Sequence, residues 1–360
     1  MSRLRVSAWT TVVPVLAVLM LIGTWGREPS AVVLEIAGGL LAGSVLAAVH
    51  HAEVVAHRVG EPFGSLVLAV AVTVIEVGLI VTLMVSGGSK TAALARDTVF
   101  AAAMIACNGI VGASLLIGAL RRHVASFNAE GTATAVATVS TLATLSLVLP
   151  RFTTSRPGPE FSAAQLAFAG VASLALYGLF VVVQTVRHRD YFLPVEVDPE
   201  ADEHAPPPSG RQALGSLGLL LVALVAVVGL AKIESPPIEG AVAAIGAPPS
   251  AVGVVIALLV LAPESLAAIR NARRDRIQNS FNLAYGSAMA SIGLTIPVIA
   301  VASIWLKGPL ELGLGATQIV LLAITVVVSG FTVLPGRATL QEGGVHLALF
   351  AAFLFLALNP

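Results

Sequence analysis

The stretch SLVLAVAVTVIEVGLIVTLM, residues 65–84, carries one charged residue, Glu76, in an otherwise uncharged and mostly apolar run. A helix of about 20 apolar residues spans roughly 30 Å, which is the thickness of the hydrocarbon core of a bilayer. The whole chain has this character, since 57% of its 360 residues are hydrophobic and only 11% are charged. Soluble domains of this size do not normally have that composition, so the sequence predicts a polytopic membrane protein.

Eleven apolar runs are predicted to cross the membrane as helices, because a helix satisfies its backbone amides within its own segment. The first run follows MSRLR but lacks a small-residue cleavage site, so we interpret it as a retained helix rather than a signal peptide. The predicted fold class is an all-α polytopic membrane protein with eleven transmembrane helices. The runs lie near residues 7–25, 30–49, 64–86, 98–120, 132–150, 161–186, 212–231, 250–272, 282–305, 316–334 and 344–358.

An acidic, proline-rich segment, residues 187–211, divides the chain near its middle. It can neither cross lipid nor bury a core, which predicts a solvated cytoplasmic linker. Five helices precede it after the extra first one and five follow it. Since five is odd, the second set enters the membrane from the opposite side, as in an inverted repeat. The predicted parts are an N-terminal helix (1–29), a first five-helix repeat (30–186), the linker (187–211) and a second five-helix repeat (212–360).

Lysine and arginine in the connections are concentrated on one side of this topology, including Arg121, Arg122 and the stretch RNARRDR at 270–276. The positive-inside rule therefore predicts a cytoplasmic N-terminus and an external C-terminus. The RNARRDR stretch either sets the topology alone or also attracts anionic lipid. The formal net charge is zero, so no basic excess indicates nucleic-acid binding.

The second helix of each repeat carries an acid in its apolar run, Glu76 in the first and Glu264 in the second. Each of these helices follows a polar stretch, HHAEVVAHRVGEPFG or KIESPPIEGAVAAIGAPPS, which we interpret as a short interfacial connection. An ionised carboxylate facing lipid would cost several kcal/mol, so such residues face the bundle interior or water and tend to be functional. Glu264 lies at mid-membrane if its helix starts after Pro249 and runs through Arg270, whose head can reach the interface. The alternative for each glutamate is a protonated, hydrogen-bonded packing residue.

Two carboxylates that meet near a repeat interface form a site for hard cations, and the same oxygens bind protons when the cation is absent. Burial and mutual repulsion favour retention of at least one proton by the cation-free pair. Cation and proton then compete for the same atoms, which is the chemistry of an antiporter. Such oxygen ligands suit Ca²⁺ and Na⁺, and no resident cofactor is expected.

Neutral oxygens are needed to complete such a site. Thr73 lies one turn before Glu76, and Ser287 and Ser291 are four residues apart on one helical face. Pro263 lacks an amide hydrogen, which frees a backbone carbonyl in the turn before Glu264. Small polar residues can instead serve close helix packing, so each of them has two interpretations. The candidate neutral ligands are Thr73, Asn108, Ser287 and Ser291.

Two segments, HRVGEPFGSLVLAVAVTVIEVGLIVTLM (57–84) and LAPESLAAIRNARRDRIQNSFNLAYGSAMASIGLTIPVIAVAS (261–303), resemble the signature regions of a known family. They are similar to the bacterial calcium/proton antiporters of the cation/proton exchanger group, within the calcium:cation antiporter superfamily. The branch that also exchanges sodium or potassium for protons is the most similar. The residues that keep the family's spacing are Gly60, Glu61, Gly64, Glu76, Glu264, Gly286 and Ser287.

The resemblance implies a ten-helix core plus one extra N-terminal helix in the bacterial cytoplasmic (inner) membrane. It also implies alternating access, in which a gating helix pair slides or rocks against the rest. The expected partners are inorganic cations, protons and the lipid bilayer. By residue, the resemblance implies Glu76 and Glu264 as the cation and proton carriers, Asn108, Ser287 and Ser291 as neutral ligands, and Glu61 and Glu239 as acids near the cation access path.

One departure from the family's pattern concerns selectivity. Many members carry a glycine-asparagine pair just before each central glutamate, whereas this chain has Val72 and Thr73 in the first repeat. In the second repeat the same positions are Val260 and Leu261. Fewer neutral oxygens favour a lower coordination number than the six to eight ligands of Ca²⁺, which leaves room for Na⁺ or K⁺. With the resemblance, Ca²⁺ is the first candidate cation, and Na⁺ and K⁺ are the alternatives.

Two other functions fit the sequence less well than exchange. An intramembrane enzyme would need a nucleophile with a base, or a metal cluster, but no histidine is predicted deep in an apolar run and the H-E-x-x-H motif is absent. A cation channel is less consistent with two non-equivalent glutamates in inverted repeats. The sequence therefore favours a membrane transporter over an enzyme.

For three histidines, one further glutamate and the single cysteine, we favour a structural role over a functional one. His50, His51 and His57 are predicted at a cytoplasmic helix end, where they could sense pH but more ordinarily lie at the interface. Glu35 is near a helix end and is expected to reach the interface, although it could relay protons. Cys107 is the single cysteine, which excludes an internal disulfide and indicates a small packed residue.

Overall fold

A computed structural model describes residues 8–27, 29–60, 63–87, 91–195, 208–305 and 308–360. The chain forms two compact units. Unit 1 comprises Met1–Gly88 and Asp198–Ile245, and unit 2 comprises Ser89–Val197 and Gly246–Pro360. The described residues of both units are almost entirely helical, as the composition predicts.

Within the described ranges, twelve α-helices occur together with short π-helical, 3₁₀ and strand segments. In chain order they are α1 (Ala8–Thr24), α2 (Ala31–Val59), α3 (Phe63–Gly87), α4 (Leu94–Met104), a π-helical turn (Ile105–Ile110), α5 (Val111–Arg122), β1 (Ala125–Ser126), α6 (Ala129–Ala143), a second π-helical turn (Thr144–Val148), a 3₁₀ turn (Leu149–Arg151), α7 (Ala163–Val182), a third π-helical turn (Val183–Arg187), a 3₁₀ turn (Arg189–Phe192), α8 (Gly210–Ala244), α9 (Ala251–Ala272), α10 (Ile277–Ala302), α11 (Ala316–Val333), β2 (Arg337–Ala338) and α12 (Leu340–Leu358).

Ten helices of the described chain are long and apolar enough to cross a membrane, and α1 is a shorter apolar helix of 17 residues. One of the ten is the continuous helix Leu94–Arg122, in which the first π-helical turn joins α4 to α5. Each of the eleven predicted runs therefore corresponds to one apolar helix. The predicted fold class, an all-α polytopic membrane protein, is confirmed.

Much of the polar stretches before α3 and α9 continues the preceding helices, which corrects their interpretation as short connections. Helix α2 continues to Val59, and α8 continues through Pro236 and Pro237 to Ala244. Histidine and glutamate do not break a helix, and proline is tolerated in membrane helices because neighbouring groups satisfy the freed carbonyls. Glycines with positive φ follow the two helices instead, Gly60 at 75° and Gly246 at 72°.

In unit 1, α2 packs against α1, α3 and α8, and α8 also packs against α1 and α3. Glycines allow these close approaches. A Cβ atom at Gly43 would lie 2.8 Å from Val13, and one at Gly78 would lie 2.7 Å from Val228. Small residues take this role because lipid supplies no hydrophobic force that drives one helix against another.

In unit 2, α10 is the central helix. It contacts α4, α5, α6, α7 and α9, and 15 of its 26 residues are buried. Helix α4 packs against α9, α5 packs against α12, and α11 packs against α6 and α12. A two-residue antiparallel ladder pairs Ala125 with Ala338 and so joins the connections that follow α5 and α11.

Several helices begin at polar caps whose residue types follow from the sequence. The Asn128 side chain accepts from the backbone amides of Glu130 and Gly131 at the start of α6. Ser162 with Gln165, Ser209 with Gln212, and Thr339 with Glu342 form capping boxes at the starts of α7, α8 and α12. Each arrangement satisfies amides that would otherwise lack partners, so it determines where the helix begins.

The contact of α9 with α4 provides a test of the packing in unit 2. We expect Gly253→Ala to destabilise the protein by about 1–3 kcal/mol, because the new methyl group would lie 2.8 Å from the Thr98 backbone nitrogen. Gly178→Ala in α7 is the matched control, because nothing lies within 4 Å of the position that its new methyl group would occupy. Thermal unfolding in detergent measures both variants, and equal melting temperatures would contradict the close contact.

Candidate cation and proton site

Glu76 lies in the middle of α3 in unit 1 and is only 3% exposed. The flanking residues Ile75, Leu79 and Ile80 are buried as well. Thr73 is one turn earlier on the same helical face, and its buried hydroxyl forms no hydrogen bond within the described part of the chain. Helix α3 therefore carries one carboxyl and one hydroxyl that are both buried.

Glu264 lies in α9 of unit 2 and is 6% exposed. The helix begins at Ala251, just after Pro249, and runs through Arg270 to Ala272, so the condition for a mid-helix position is met. Pro263 immediately precedes the glutamate, and without an amide hydrogen it leaves the carbonyl of Leu259 without its usual helical donor. This helix thus carries a buried carboxyl shortly after a backbone oxygen that Pro263 cannot bond.

The predicted neutral ligands of unit 2 lie on elements that contact one another. The π-helical turn with Asn108 contacts both α9 and α10, and α9 contacts α10. Asn108 is fully buried, Ser291 is 4% exposed, and Ser287 is partly buried one turn earlier on α10. Unit 2 therefore gathers the helix of Glu264 and three candidate neutral ligands into one bundle.

Asn108 is also part of a buried hydrogen-bonded chain. Its Nδ2 donates to Thr325 Oγ1 at 2.9 Å, and its Oδ1 lies 3.2 Å from Nδ1 of His346. On the other side of the ring, His346 Nε2 is 3.2 Å from Thr332 Oγ1. The four side chains are between 0% and 4% exposed, so the hydrogen bonds between them are shielded from water.

Of the two acids that the resemblance assigns to the access path, the structure describes Glu239 but not Glu61. Glu61 lies outside the described residues. Glu239 lies in α8, is partly buried, and accepts a hydrogen bond from Ser235 Oγ at 3.1 Å. Glu35 is exposed near the start of α2.

Two histidines correct the expectation that none lies deep in an apolar helix. His346 in α12 and His51 in α2 are both 0% exposed. His51 Nε2 donates to the Thr10 carbonyl at 2.9 Å, and its Nδ1 is 3.3 Å from Ser216 Oγ. Its predicted place at a helix end was wrong because α2 continues for eight residues beyond it. His346 was missed because it lies close to the polar start of its run.

Two further buried acids were missed in the sequence. Glu234 in α8 is 6% exposed, and its Oε1 forms no hydrogen bond within the described part of the chain. Its Oε2 would lie 3.5 Å from a Cβ at Gly38, so the carboxyl faces a glycine of α2. The two prolines after Glu234 suggested a connection rather than a helix, which concealed its burial.

The second missed acid is Asp97 in the first turn of α4. Its Oδ1 lies 2.8 Å from Arg96 Nε and 3.3 Å from Gln318 Nε2, and its side chain is 6% exposed. Arg96 also donates to the carbonyl of Gly313. This acid is already satisfied by a cation and an amide, so the geometry supports a structural ion pair.

Residues 29–186 and 215–359 match the sodium/calcium exchanger protein family. The chain belongs to this family. Family membership makes it an integral membrane protein and a cation antiporter rather than an enzyme, in agreement with the expected class and the recognised antiporter resemblance. The match covers most of both predicted repeats.

Two relatives are similar over nearly their whole length. The y4hA protein of Sinorhizobium fredii (strain NBRC 101917 / NGR234) is 45% identical over 100% of both chains. The sodium-potassium/proton antiporter ChaA of Escherichia coli (strain K12) is 34% identical over 95% of this chain and 93% of its own. Among solved structures, the H⁺/Ca²⁺ exchanger CAX has a TM-score of 0.70 at 17% identity over 96% of this chain and 86% of its own, which shows a shared fold.

The Asp97 ion pair generates a test of which acids are structural. We expect Asp97→Ala to destabilise the protein by about 3 kcal/mol, because it leaves the mostly buried Arg96 guanidinium with only the more distant and more exposed carboxylate of Glu311, at 3.9 Å. The matched control is Glu160→Ala, since its partner Arg156 is 58% exposed and such pairs contribute at most about 1 kcal/mol. Thermal unfolding in detergent is the measurement. Equal losses in the two variants would show that the Asp97 pair is no stronger than a surface pair.

Proposed function

We propose that the protein exchanges a cation, either Ca²⁺ or the monovalent Na⁺ or K⁺, for protons across the membrane. Glu76 and Glu264 bind the cation and the protons in competition. One observation carries the proposal: each of these acids is more than nine-tenths buried in the middle of an apolar, membrane-length helix. Each lies thirteen residues after the first residue of its helix, Phe63 or Ala251.

The physical reason is the energy of charge in a medium that excludes water. A carboxylate there needs a counter-charge or a proton, since ionisation alone would be strongly unfavourable. A hard cation and protons are the two kinds of ligand that can neutralise a pair of carboxylates. Exchange of one for the other keeps the site neutral in both transport directions.

Thr73, Asn108, Ser287 and Ser291 complete the proposed site as neutral ligands, and Glu61 and Glu239 lie along the proposed access path. Hydroxyl and carboxamide oxygens suit hard cations because they replace water ligands without adding charge. The burial of Thr73, Asn108 and Ser291 supports this assignment.

We further propose that residues 30–186 and 212–360 are two inverted five-helix repeats, with 1–29 as an extra helix and 187–211 as a cytoplasmic linker. Corresponding depths along the helices support this. Asn108 and Ser291 each lie fourteen residues after the first residue of their helices, Leu94 and Ile277. Inverted repeats permit alternating access by movement of one group of helices against another.

Two observations favour a monovalent cation over Ca²⁺. The relative that is 34% identical is named a sodium-potassium/proton antiporter. The chain also has Val72, Val260 and Leu261 where many antiporters supply glycine and asparagine, and Ca²⁺ requires six to eight ligands. The family's description as sodium/calcium exchangers keeps Ca²⁺ among the candidates.

The proposed location is the bacterial cytoplasmic membrane, with the N-terminus in the cytoplasm and the C-terminus outside. The concentration of arginine in alternate connections supports this orientation. The proposed partners are the transported cations, protons and the surrounding lipid.

Proton-coupled transport can be measured in everted vesicles that contain the protein and a pH-sensitive dye. Addition of Na⁺, K⁺ or Ca²⁺ should dequench the dye as protons leave the lumen. We expect Glu76→Gln and Glu264→Gln each to abolish this signal, because a carboxamide neither ionises nor exchanges a proton in this pH range.

Glu35→Gln is the matched control, because Glu35 is an acid of an apolar helix but is exposed. It should leave the signal unchanged. Proton-coupled exchange that survives in both the Glu76 and the Glu264 variant would remove these residues from the mechanism. Cation flux without proton movement would identify a channel instead.

Cation preference can be ranked with purified protein in liposomes. At equal concentrations, we expect Na⁺ and K⁺ to drive faster proton efflux than Ca²⁺, because few neutral oxygens lie beside the central glutamates. Restoration of the missing ligands by Val72→Gly with Thr73→Asn should shift the preference towards Ca²⁺. A parent protein that already prefers Ca²⁺ would contradict the monovalent assignment but not the exchange mechanism.

A further inference from the structure

The first π-helical turn, Ile105–Ile110, interrupts the regular hydrogen bonding of the helix Leu94–Arg122 in the middle of unit 2. A π-helical turn inserts an extra residue into the helix, which displaces some carbonyls from their usual donors, and such turns are frequent at functional sites. Five of its six residues are buried. Any polar group in this turn must therefore be satisfied by a neighbouring helix.

Helix α12 approaches this turn closely because glycines line the contact. A Cβ atom at Gly112 would lie 2.9 Å from the Cβ of His346, and one at Gly343 would lie 2.8 Å from the backbone nitrogen of Leu116. A Cβ atom at Gly109 would lie 3.4 Å from the ring of Phe350. These contacts fix the backbone of α12 so that the His346 ring lies against the π-helical turn.

The hydrogen bonds around the ring define its orientation and its tautomer. His346 Nδ1 lies 3.2 Å from Asn108 Oδ1. A carboxamide oxygen can only accept, so Nδ1 carries the hydrogen. Nε2 of the neutral ring then accepts from the Thr332 hydroxyl.

The other end of the Asn108 side chain agrees with this assignment. Its Nδ2 donates to Thr325 Oγ1, which leaves Oδ1 on the side of His346. The oxygen has two lone pairs, and His346 uses only one of them. The second lone pair remains for another partner. The hydrogen-bonded side chains thus hold the carboxamide in one rotamer, and its oxygen can still coordinate a cation.

We propose that His346 is a positioning residue for cation binding, which acts by fixing the carboxamide of Asn108 in its coordinating orientation. This inference rests on the proposed function, because Asn108 is one of its neutral ligands. His346 does not touch the cation itself. Groups that orient a ligand in this way commonly contribute tenfold or more to metal affinity.

The test measures proton-coupled transport by purified protein in liposomes as a function of Na⁺, K⁺ and Ca²⁺ concentration. We expect His346→Leu to raise the half-saturating cation concentration about tenfold with little change in the maximal rate. His346→Asn should restore most of the affinity, because its Nδ2 can replace the Nδ1 donor. Asn108→Ala should raise the half-saturating concentration at least as much as His346→Leu.

The double variant separates positioning from packing. If His346 acts only through Asn108, adding His346→Leu to Asn108→Ala should produce no further loss of affinity. Phe350→Leu is the matched packing control, because it alters the same contact of α12 with Gly109 without touching the hydrogen-bonded chain. We expect it to leave the half-saturating concentration within about twofold of the parent.

Thr332→Val provides a second route if His346→Leu does not fold, since it removes only the donor to Nε2. We expect it to weaken cation affinity about threefold, as loss of one hydrogen bond in the chain implies. Unchanged affinity in folded His346→Leu, or in Thr332→Val where the former does not fold, would overturn the inference. Additive losses in the double variant would overturn it as well.

The inference and the proposed function fail in different ways. If the parent protein shows no proton-coupled cation transport, the proposed function fails. If the parent transports but Asn108→Ala keeps its affinity, Asn108 is not a ligand and the positioning role falls with it. If Asn108→Ala loses affinity while His346→Leu does not, only the positioning role is refuted.

Discussion

Hydrocarbon cannot solvate charges or backbone amides, and the rest of this structure depends on that constraint. It makes the described chain almost wholly helical. It also requires buried polar groups to find partners within the protein. Asp97 is paired with Arg96 and Gln318, and His51 is bonded to a carbonyl of α1 and a hydroxyl of α8. For Glu76 and Glu264, the proposed function adds a bound cation or proton as a means of neutralisation.

Close helix contacts are the second consequence of the lipid environment. Since lipid tails are as apolar as leucine, helices associate through tight packing rather than through exclusion of water. Glycines at Gly43 and Gly78 in unit 1, and at Gly112, Gly253 and Gly343 in unit 2, permit that packing. In unit 2 the packing also places polar groups, because the glycine contact between α5 and α12 aligns His346 with the π-helical turn.

Family membership and the proposed cation preference depend on different features of the chain. The family match extends through residues 29–186 and 215–359. We propose that preference depends on the few oxygens beside each central carboxylate, at Val72, Val260 and Leu261. A change at these positions is therefore expected to alter the transported cation without altering the fold.

Hydropathy alone was sufficient to predict the apolar helices, the fold class and the burial of Glu76 and Glu264, because spanning a bilayer is a property of about 20 consecutive residues. The same local pattern could not place His51, Glu234 or His346. Helix ends were misjudged where polar residues or prolines continue a helix, and only the positive φ angles at Gly60 and Gly246 show where α2 and α8 end. The burial of a side chain and its hydrogen-bond partners depend on residues far away in the chain. His346 and Asn108 are 238 positions apart, so only tertiary packing could bring them together.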